Sequence, residues 1–387
     1  MDLRDLPPDM NPHERVDERR SRIEQELGIE LSKLAVGEEQ IGAADERNCE
    51  QMFGAVPVPV GLAGPLRINF SSRETQDVYL PLATTEGALV ASVNRGCKAL
   101  TEAGGVRVSS EYVGVTRSLA FEAENAKEVS EKLRALEPAW KKLAEATSNH
   151  LKILSYTIDT KDNVLFLTLA ADTDEAMGMN MLTIAAQEVG KFLSKELDIP
   201  MLTVAGNVDS DKKPSMLTKT RGRGYRVRVE SVIPEEIIRN VLKSDSNALL
   251  RTARAKLEIG SELAGALGRN LHAANVIAAL YLATGQDAAH VVEGSLTDTS
   301  VEKSAEGIRM SVELPALLLG VRGGGTELPA QKQCLDLLLR TKTKLRPRAQ
   351  LAEAIGGAVL AGELSLLAAQ ATNTLAQAHR ALAQGKR

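Results

Sequence analysis

The sequence predicts an α+β protein: a large domain around a long central helix, interrupted by an inserted, small ferredoxin-like domain of split βαβ order. Two observations predict it. Between Ser118 and Ala205 the pattern runs strand, helix, strand, strand, helix, strand, as Ser118–Glu122, Ala126–Ala146, Leu151–Asp159, Val164–Ala171, Met177–Leu197 and Met201–Ala205. A similar Gly- and Ala-rich texture flanks that stretch on both sides, so the small unit reads as an insertion. The expected division is a helical segment over 1–50, a large domain over 51–117 and 206–387, and the small domain over 118–205.

The elements follow in chain order. From His13 to Leu34, Val16, Ile23, Leu27 and Leu31 recur at helical spacing among charges, which predicts a surface-lying helix. Val56 to Leu66 (VPVPVGLAGPL) holds three prolines and two glycines, which forbid a helix and suit an extended segment with a tight turn. Leu257 to His290 is rich in Ala and Gly and free of proline, and is expected to be the long central helix. Over Leu351 to Arg387, Leu364, Leu367, Ala371, Leu375, Ala378 and Leu382 again fall at helical intervals.

With 387 residues, 43% of them hydrophobic, the chain can bury a large core. Its net charge of -4 gives no global pull towards nucleic acid or anionic lipid. Cys49, Cys97 and Cys334 are odd in number and far apart, as expected of reduced thiols in a cytoplasm. No secretory pattern opens the chain, and no apolar run is expected to reach the roughly 20 residues that span a bilayer. A soluble cytoplasmic protein is the expectation.

Neither a nucleotide P-loop nor a strand-turn-helix GxGxxG occurs. The five histidines show no paired zinc spacing, so no metal is expected. Four groups stand in unusual surroundings. Glu86 is a charge among small and apolar residues in TTEGALVASVNRGCK, where a helix-start carboxylate is the plainer reading. Lys212 lies in GNVDSDKKP, either a solvated charge cluster or a constrained turn. Asp287 follows Gly285 and Gln286 where the Ala-rich helix should end, a position that disfavours an acid and calls for a partner such as a lysine. His379 sits near the end of the last helix, where compensation of the helix dipole is a sufficient explanation.

The blocks VPVPVGLAGPL, TTEGALVASVNRGCK, EAMGMNM, DKKP, HAAN, TGQDAA, GGGTELP and LAGELSLLAA occur in one order. Over roughly Asn48 to Arg380 this set resembles class I 3-hydroxy-3-methylglutaryl-CoA (HMG-CoA) reductases. The resemblance implies a large domain that holds the CoA thioester, a small domain that binds the nicotinamide cofactor, and two hydride transfers yielding mevalonate and CoA with two NADPH. It assigns proton and charge handling to Glu86, Lys212, Asp287 and His379. It places Arg117, Asp211, Lys213, Lys256 and Asn275 at the hydroxymethylglutaryl part, and Ser92, Asn94 and Arg95 at CoA. It places Glu175, Met177, Gly178, Met179, Asn180, Gly323, Gly324, Gly325 and Thr326 at the cofactor. A homodimer or dimer of dimers with the site between subunits is also implied, without the membrane anchor of animal relatives.

Several positions depart from the family pattern. Ala205 stands for a serine near the substrate carboxylate, and Glu175 for an aspartate. The Ser-Arg pair that grips the 2′-phosphate of NADPH aligns with Ser148 and Asn149, leaving Lys152, His150 or Arg322 to replace the guanidinium. Asn373-Thr374 replaces the Gly-His of the last helix. These departures motivate two other readings, an NADH-preferring reductase and a non-catalytic CoA-ester-binding paralogue.

Overall fold

The structure is a computed structural model that describes residues 2–372. Nine strands form one mixed network: β1 Val60–Asn69, β2 Thr75–Ala83, β3 Val106–Glu122, β4 Lys152–Lys161, β5 Val164–Asp172, β6 Met201–Thr203, β7 Gly224–Pro234, β8 Asp298–Lys303 and β9 Gly307–Leu317. Their main order is β2-β1-β3-β7-β9-β8. Only the short β1/β3 pairing is parallel among these strands.

β3 is long enough to serve two sheets. Its first part pairs with β7 up to Gly114, and from Val115 to Glu122 it pairs with β5. The second group runs β6-β3-β5-β4, all antiparallel, which is the strand order of a split βαβ sandwich. Helices Ala126–Ala135, Glu137–Glu145 and Met179–Leu197 cover it, enclosing a separate core around Trp140, Leu119, Phe121, Leu167 and Leu182.

The long central helix is Pro347–Ala371, buried along nearly its whole length, and not the stretch 257–290. That stretch breaks up. A π-helical segment Arg254–Gly260 and the short Ser261–Leu263 give way to turns at Gly265, whose φ is +62, before the helix Ala273–Thr284 begins. Both regions are rich in Ala and Gly, and neither has a polar face by which sequence alone ranks them. By length and composition Pro347–Ala371 would also pass as a membrane-crossing helix, contrary to the expectation of no such run. However, 94% of its apolar window is buried inside the fold.

Small residues let this helix sit so deep. Gly96, on Leu89–Glu102, meets the backbone of Ala361, and a Cβ there would overlap the Ala361 carbonyl. Two acids on the helix are fully buried and fully answered. Glu353 accepts from the Ser71 amide at 3.0 Å and from the Ser110 hydroxyl at 2.7 Å. Glu363 accepts from the Leu271 and His272 amides at 2.8 Å and from the Thr299 hydroxyl at 2.7 Å, which fixes the start of Ala273–Thr284. The helix N-terminus is tied down by Glu175, whose carboxylate accepts from the Arg348 amide at 2.8 Å.

The first helix is Pro12–Leu27, shorter than the 13–34 expected, with an Asn11/Glu14 capping box and a Gly28 C-cap. Val16 packs in a small cluster with Val36, Ile41, Ala44 and Met52, and Arg15 and Arg19 pair with the buried Asp45.

Candidate active site

The loop between β6 and β7 is wound tightly, with Asn207, Ser210 and Lys212 all at positive φ. Non-glycine residues pay for that backbone only where neighbours hold it. At Lys212 the holder is Glu293, whose carboxylate accepts the Lys212 amide at 2.7 Å. The constraint turns the Lys212 side chain towards Asp287, and Nζ lies 2.8 Å from Oδ2.

Asp287 is placed by the end of Ala273–Thr284. Gly285 closes that helix in the left-handed conformation, φ +70, and packs directly on the backbone of Gly325, where a Cβ would collide. Gln286 then exchanges hydrogen bonds with the backbone of Gly320 at 2.8 and 3.0 Å. The Gly-rich turn 323–325 is thereby locked beside the acid. Asp287 itself caps the turn Ala288–His290, accepting from the Ala289 amide at 3.0 Å. An acid that looked misplaced at a helix end is a cap at the start of the next turn.

These elements line one cleft of about 670 Å³. Of the expected residues it gathers Lys212, Asp287, Asp211, Arg117, Met177, Gly178, Met179, Asn180, Gly323, Gly324, Gly325 and Thr326. Gly323 and Gly324 have φ of +75 and +58, and space is open where side chains would stand. Amides in such a turn can approach a phosphate closely, so these residues fit a dinucleotide. Arg47 and Arg322 add positive charge to the same cleft.

Other expected residues lie elsewhere. Glu86 is exposed in the bend before Leu89–Glu102 and does not line this cleft. Ser92 and Arg95 turn onto the central helix, both bonding the Ser365 hydroxyl at 3.0 Å, and burial lowers the Arg95 pKa. Asn94 accepts from the Gly64 amide at 3.0 Å. Lys256 is exposed on the π-helical segment, Lys213 bonds the Asp211 carbonyl at 2.8 Å, and Asn275 lies in the first turn of Ala273–Thr284. Glu175 does not line the cleft with its neighbours, because its carboxylate is committed to the central helix. His379 and Asn373-Thr374 fall outside the described residues.

Sequence reasoning missed the buried charges behind the pair. Arg223, 1% exposed, hydrogen-bonds Glu293 at 2.8 Å and forms an ion pair with Asp211 at 3.0 Å. His290, fully buried, faces Glu293 at 3.3 Å and Asp287 at 3.7 Å. Asp211, His290 and Glu293 bring donor atoms within 4.8 Å of one another, a spacing that could hold a cation. The Arg223 guanidinium already bridges Asp211 and Glu293. Burial raises the Asp211 pKa, but Arg223, then His290 and Arg117, outweigh it and hold the pKa below its ordinary 3.8. For Asp287 burial again raises, while the Lys212 bond, the Ala289 amide and His290 bring the net result below 3.8.

A split βαβ sheet joined to a buried-helix core, with a lysine–carboxylate pair beside a glycine turn in a shared cleft, defines an oxidoreductase architecture in which a charged site faces a cofactor turn. The comparisons with known proteins make it specific. The family described as hydroxymethylglutaryl-coenzyme A reductase matches residues 15–384, and the chain belongs to that family. The 3-hydroxy-3-methylglutaryl-coenzyme A reductase of Methanothermobacter thermautotrophicus is 38% identical over 372 residues, covering 95% of this chain and 93% of that protein. The Methanocaldococcus jannaschii enzyme of the same name is 40% identical over 378 residues, covering 94% and 91%. Among solved structures, the class II 3-hydroxy-3-methylglutaryl-CoA reductase from Streptococcus pneumoniae bound to NADPH shares the fold, with TM-score 0.69 and 19% identity over 91% of this chain and 96% of that one. The expectation of a class I enzyme is corrected by these comparisons: the two relatives named above are archaeal and the shared fold is that of a class II enzyme. Four of the eight blocks behind that expectation, EAMGMNM, DKKP, TGQDAA and GGGTELP, supply residues of the cleft.

Proposed function

We propose that the chain reduces HMG-CoA to mevalonate and CoA, with the thioester carbonyl placed against Lys212. The observation that carries this reading is the 2.8 Å Lys212–Asp287 pair, set in the cleft that also holds Met177–Asn180 and the turn Gly323–Thr326. Nicotinamide cofactor bound in the cleft would supply the two hydrides, one from each of two NADPH. The chain's own task is charge. Oxygen becomes anionic as hydride arrives, and a fixed ammonium stabilises it in the transition state more than in the ground state. Asp287 pairs with that amine and aims it. Arg117 and Asp211 sit in the same cleft and would orient the polar end of the acyl group. His379 is read as the acid that protonates the departing thiolate, and Glu86 as the donor to the aldehyde oxygen.

Glu86 is exposed and outside its own chain's cleft, which supports a homo-oligomer whose site is completed by a second copy. A soluble, cytoplasmic enzyme fits the burial of the long apolar helix Pro347–Ala371. NADPH is the cofactor proposed. His150 is engaged with Asp174 at 3.1 Å, whereas the Arg322 guanidinium, exposed in the cleft, makes no hydrogen bond or ion pair among the described residues. Arg322 is therefore the better replacement for the missing phosphate-binding arginine. The test follows the absorbance of NADPH and of NADH, at equal concentration, with HMG-CoA supplied. Oxidation with mevalonate formed, faster with NADPH, is the expected result. No oxidation with either cofactor overturns the activity, and parity or an NADH excess overturns the cofactor preference.

A further inference from the structure

His290 has no role in the reaction as drawn above, yet it occupies a singular place. Its ring is fully buried, Nδ1 faces Glu293 at 3.3 Å, and Nε2 has no hydrogen-bond partner among the described residues. That free nitrogen lies 3.7 Å from Asp287 Oδ2, the same oxygen that meets Lys212 Nζ. The ring thus stands between the two carboxylates that hold Lys212, one by its ammonium and one by its backbone amide.

The surrounding charges do not balance without it. Four carboxylates, Asp209, Asp211, Asp287 and Glu293, are met by three cations, Arg117, Arg223 and Lys212. The groups facing His290 come from several elements. Asp287 and Glu293 flank it in its own segment, and Asp211 and Lys212 approach from the loop before β7. Arg223 lies just before β7, and Tyr281, on the preceding helix, has a buried hydroxyl without a partner. Burial first, then the charges of Glu293 and Asp287, raise the Tyr281 pKa and keep that phenol neutral. A neutral imidazole has one N–H and leaves a buried nitrogen facing a carboxylate lone pair, an unfavourable contact. An imidazolium has two, one for each carboxylate.

We propose that His290 is a positioning residue for Lys212 and works as the imidazolium, bridging Asp287 and Glu293. The idea rests on the role given to Lys212 above. Without both ring N–H groups the bridge is lost, so Asp287 and the Lys212 backbone lose a common anchor. Removing His290 then matters only where it would have been charged.

Two experiments test this. The ratio of wild-type to His290→Gln kcat is measured from about pH 6 to about pH 9, which cancels groups that titrate in both proteins. The expected ratio is about tenfold at the acid end, a cost typical of lost alignment, falling towards one at the alkaline end, with KM for HMG-CoA little changed. A purely structural role gives a ratio that does not vary with pH, and that result overturns the proposal. Neutron diffraction from crystals of the unaltered protein at about pH 6 needs neither a folded variant nor activity. Hydrogen on both ring nitrogens is expected, and hydrogen on one alone overturns the proposal even if the chain proves to be an active reductase.

Discussion

Replacing Lys212 by alanine separates the chemical role proposed for this side chain from any structural one, because the two carry very different magnitudes. The ion pair with Asp287 is short, but the side chains are 42% and 35% exposed, so solvent screening holds its contribution to stability to about 1 kcal/mol or less. The loop does not depend on the side chain. Glu293 grips the Lys212 amide, which alanine retains, and alanine meets the same positive-φ cost as lysine. Asp287 keeps its bond from the Ala289 amide. Against that small structural cost stands the loss of the cation proposed to face the developing oxyanion, about 3 to 4 kcal/mol or 10² to 10³ in kcat. The assay pairs steady-state NADPH oxidation with urea unfolding of the same preparations. The account predicts a fall in kcat of about 10² or more with an unfolding midpoint near that of the wild type. A kcat within about threefold of wild type would refute the assignment of Lys212 to the reacting oxygen.

The central helix offers a stability counterpart. Glu363→Ala leaves the Leu271 and His272 amides and the Thr299 hydroxyl buried without their acceptor, and should cost about 3 to 5 kcal/mol by denaturant unfolding, against less than about 1 kcal/mol for a surface change. Folding holds Asp211 and Asp287 below their ordinary 3.8, so each contributes stability that is present above pH 3.8 and lost as pH falls through the lower folded value. Urea stability should therefore decline below that pH, and Asp211→Asn should shallow the decline; an unchanged slope would remove Asp211 from the account. Burial pushes the Cys97 thiol up to about 12, so in the native protein it should resist alkylation at mildly alkaline pH while the exposed Cys49 reacts, as mass spectrometry of the peptides can show.

How much of this was legible in the sequence depended on the range of the interactions. The strand and helix order from Ser118 to Ala205 was readable because each piece has its own period and short connections. Even the turn residues around Asp198 and Gly178 lie at left-handed helix ends, where the pattern breaks. The central helix was harder. Ala- and Gly-rich stretches at 257–290 and 347–371 differ chiefly in what surrounds them, and burial on all sides leaves no polar stripe to read. At the site, Lys212 and Asp287 were found because each is odd locally. Arg223, His290 and Glu293 were not, since Arg223 and Glu293 are 70 residues apart and Arg223 does not stand out from its neighbours. A carboxylate in the small, apolar run VVEG was the one available signal. Ser92 and Arg95 show the opposite limit, since polar residues at the right chain positions turn inward onto Ser365 in the isolated chain.

The most direct test is the position of Lys212 Nζ in a crystal of the protein with HMG-CoA bound. A hydrogen bond of about 3 Å from Nζ to the thioester carbonyl oxygen, with Asp287 still on the amine's other side, is the predicted arrangement. A carbonyl oxygen held instead by another donor, with Lys212 turned to solvent, would contradict it.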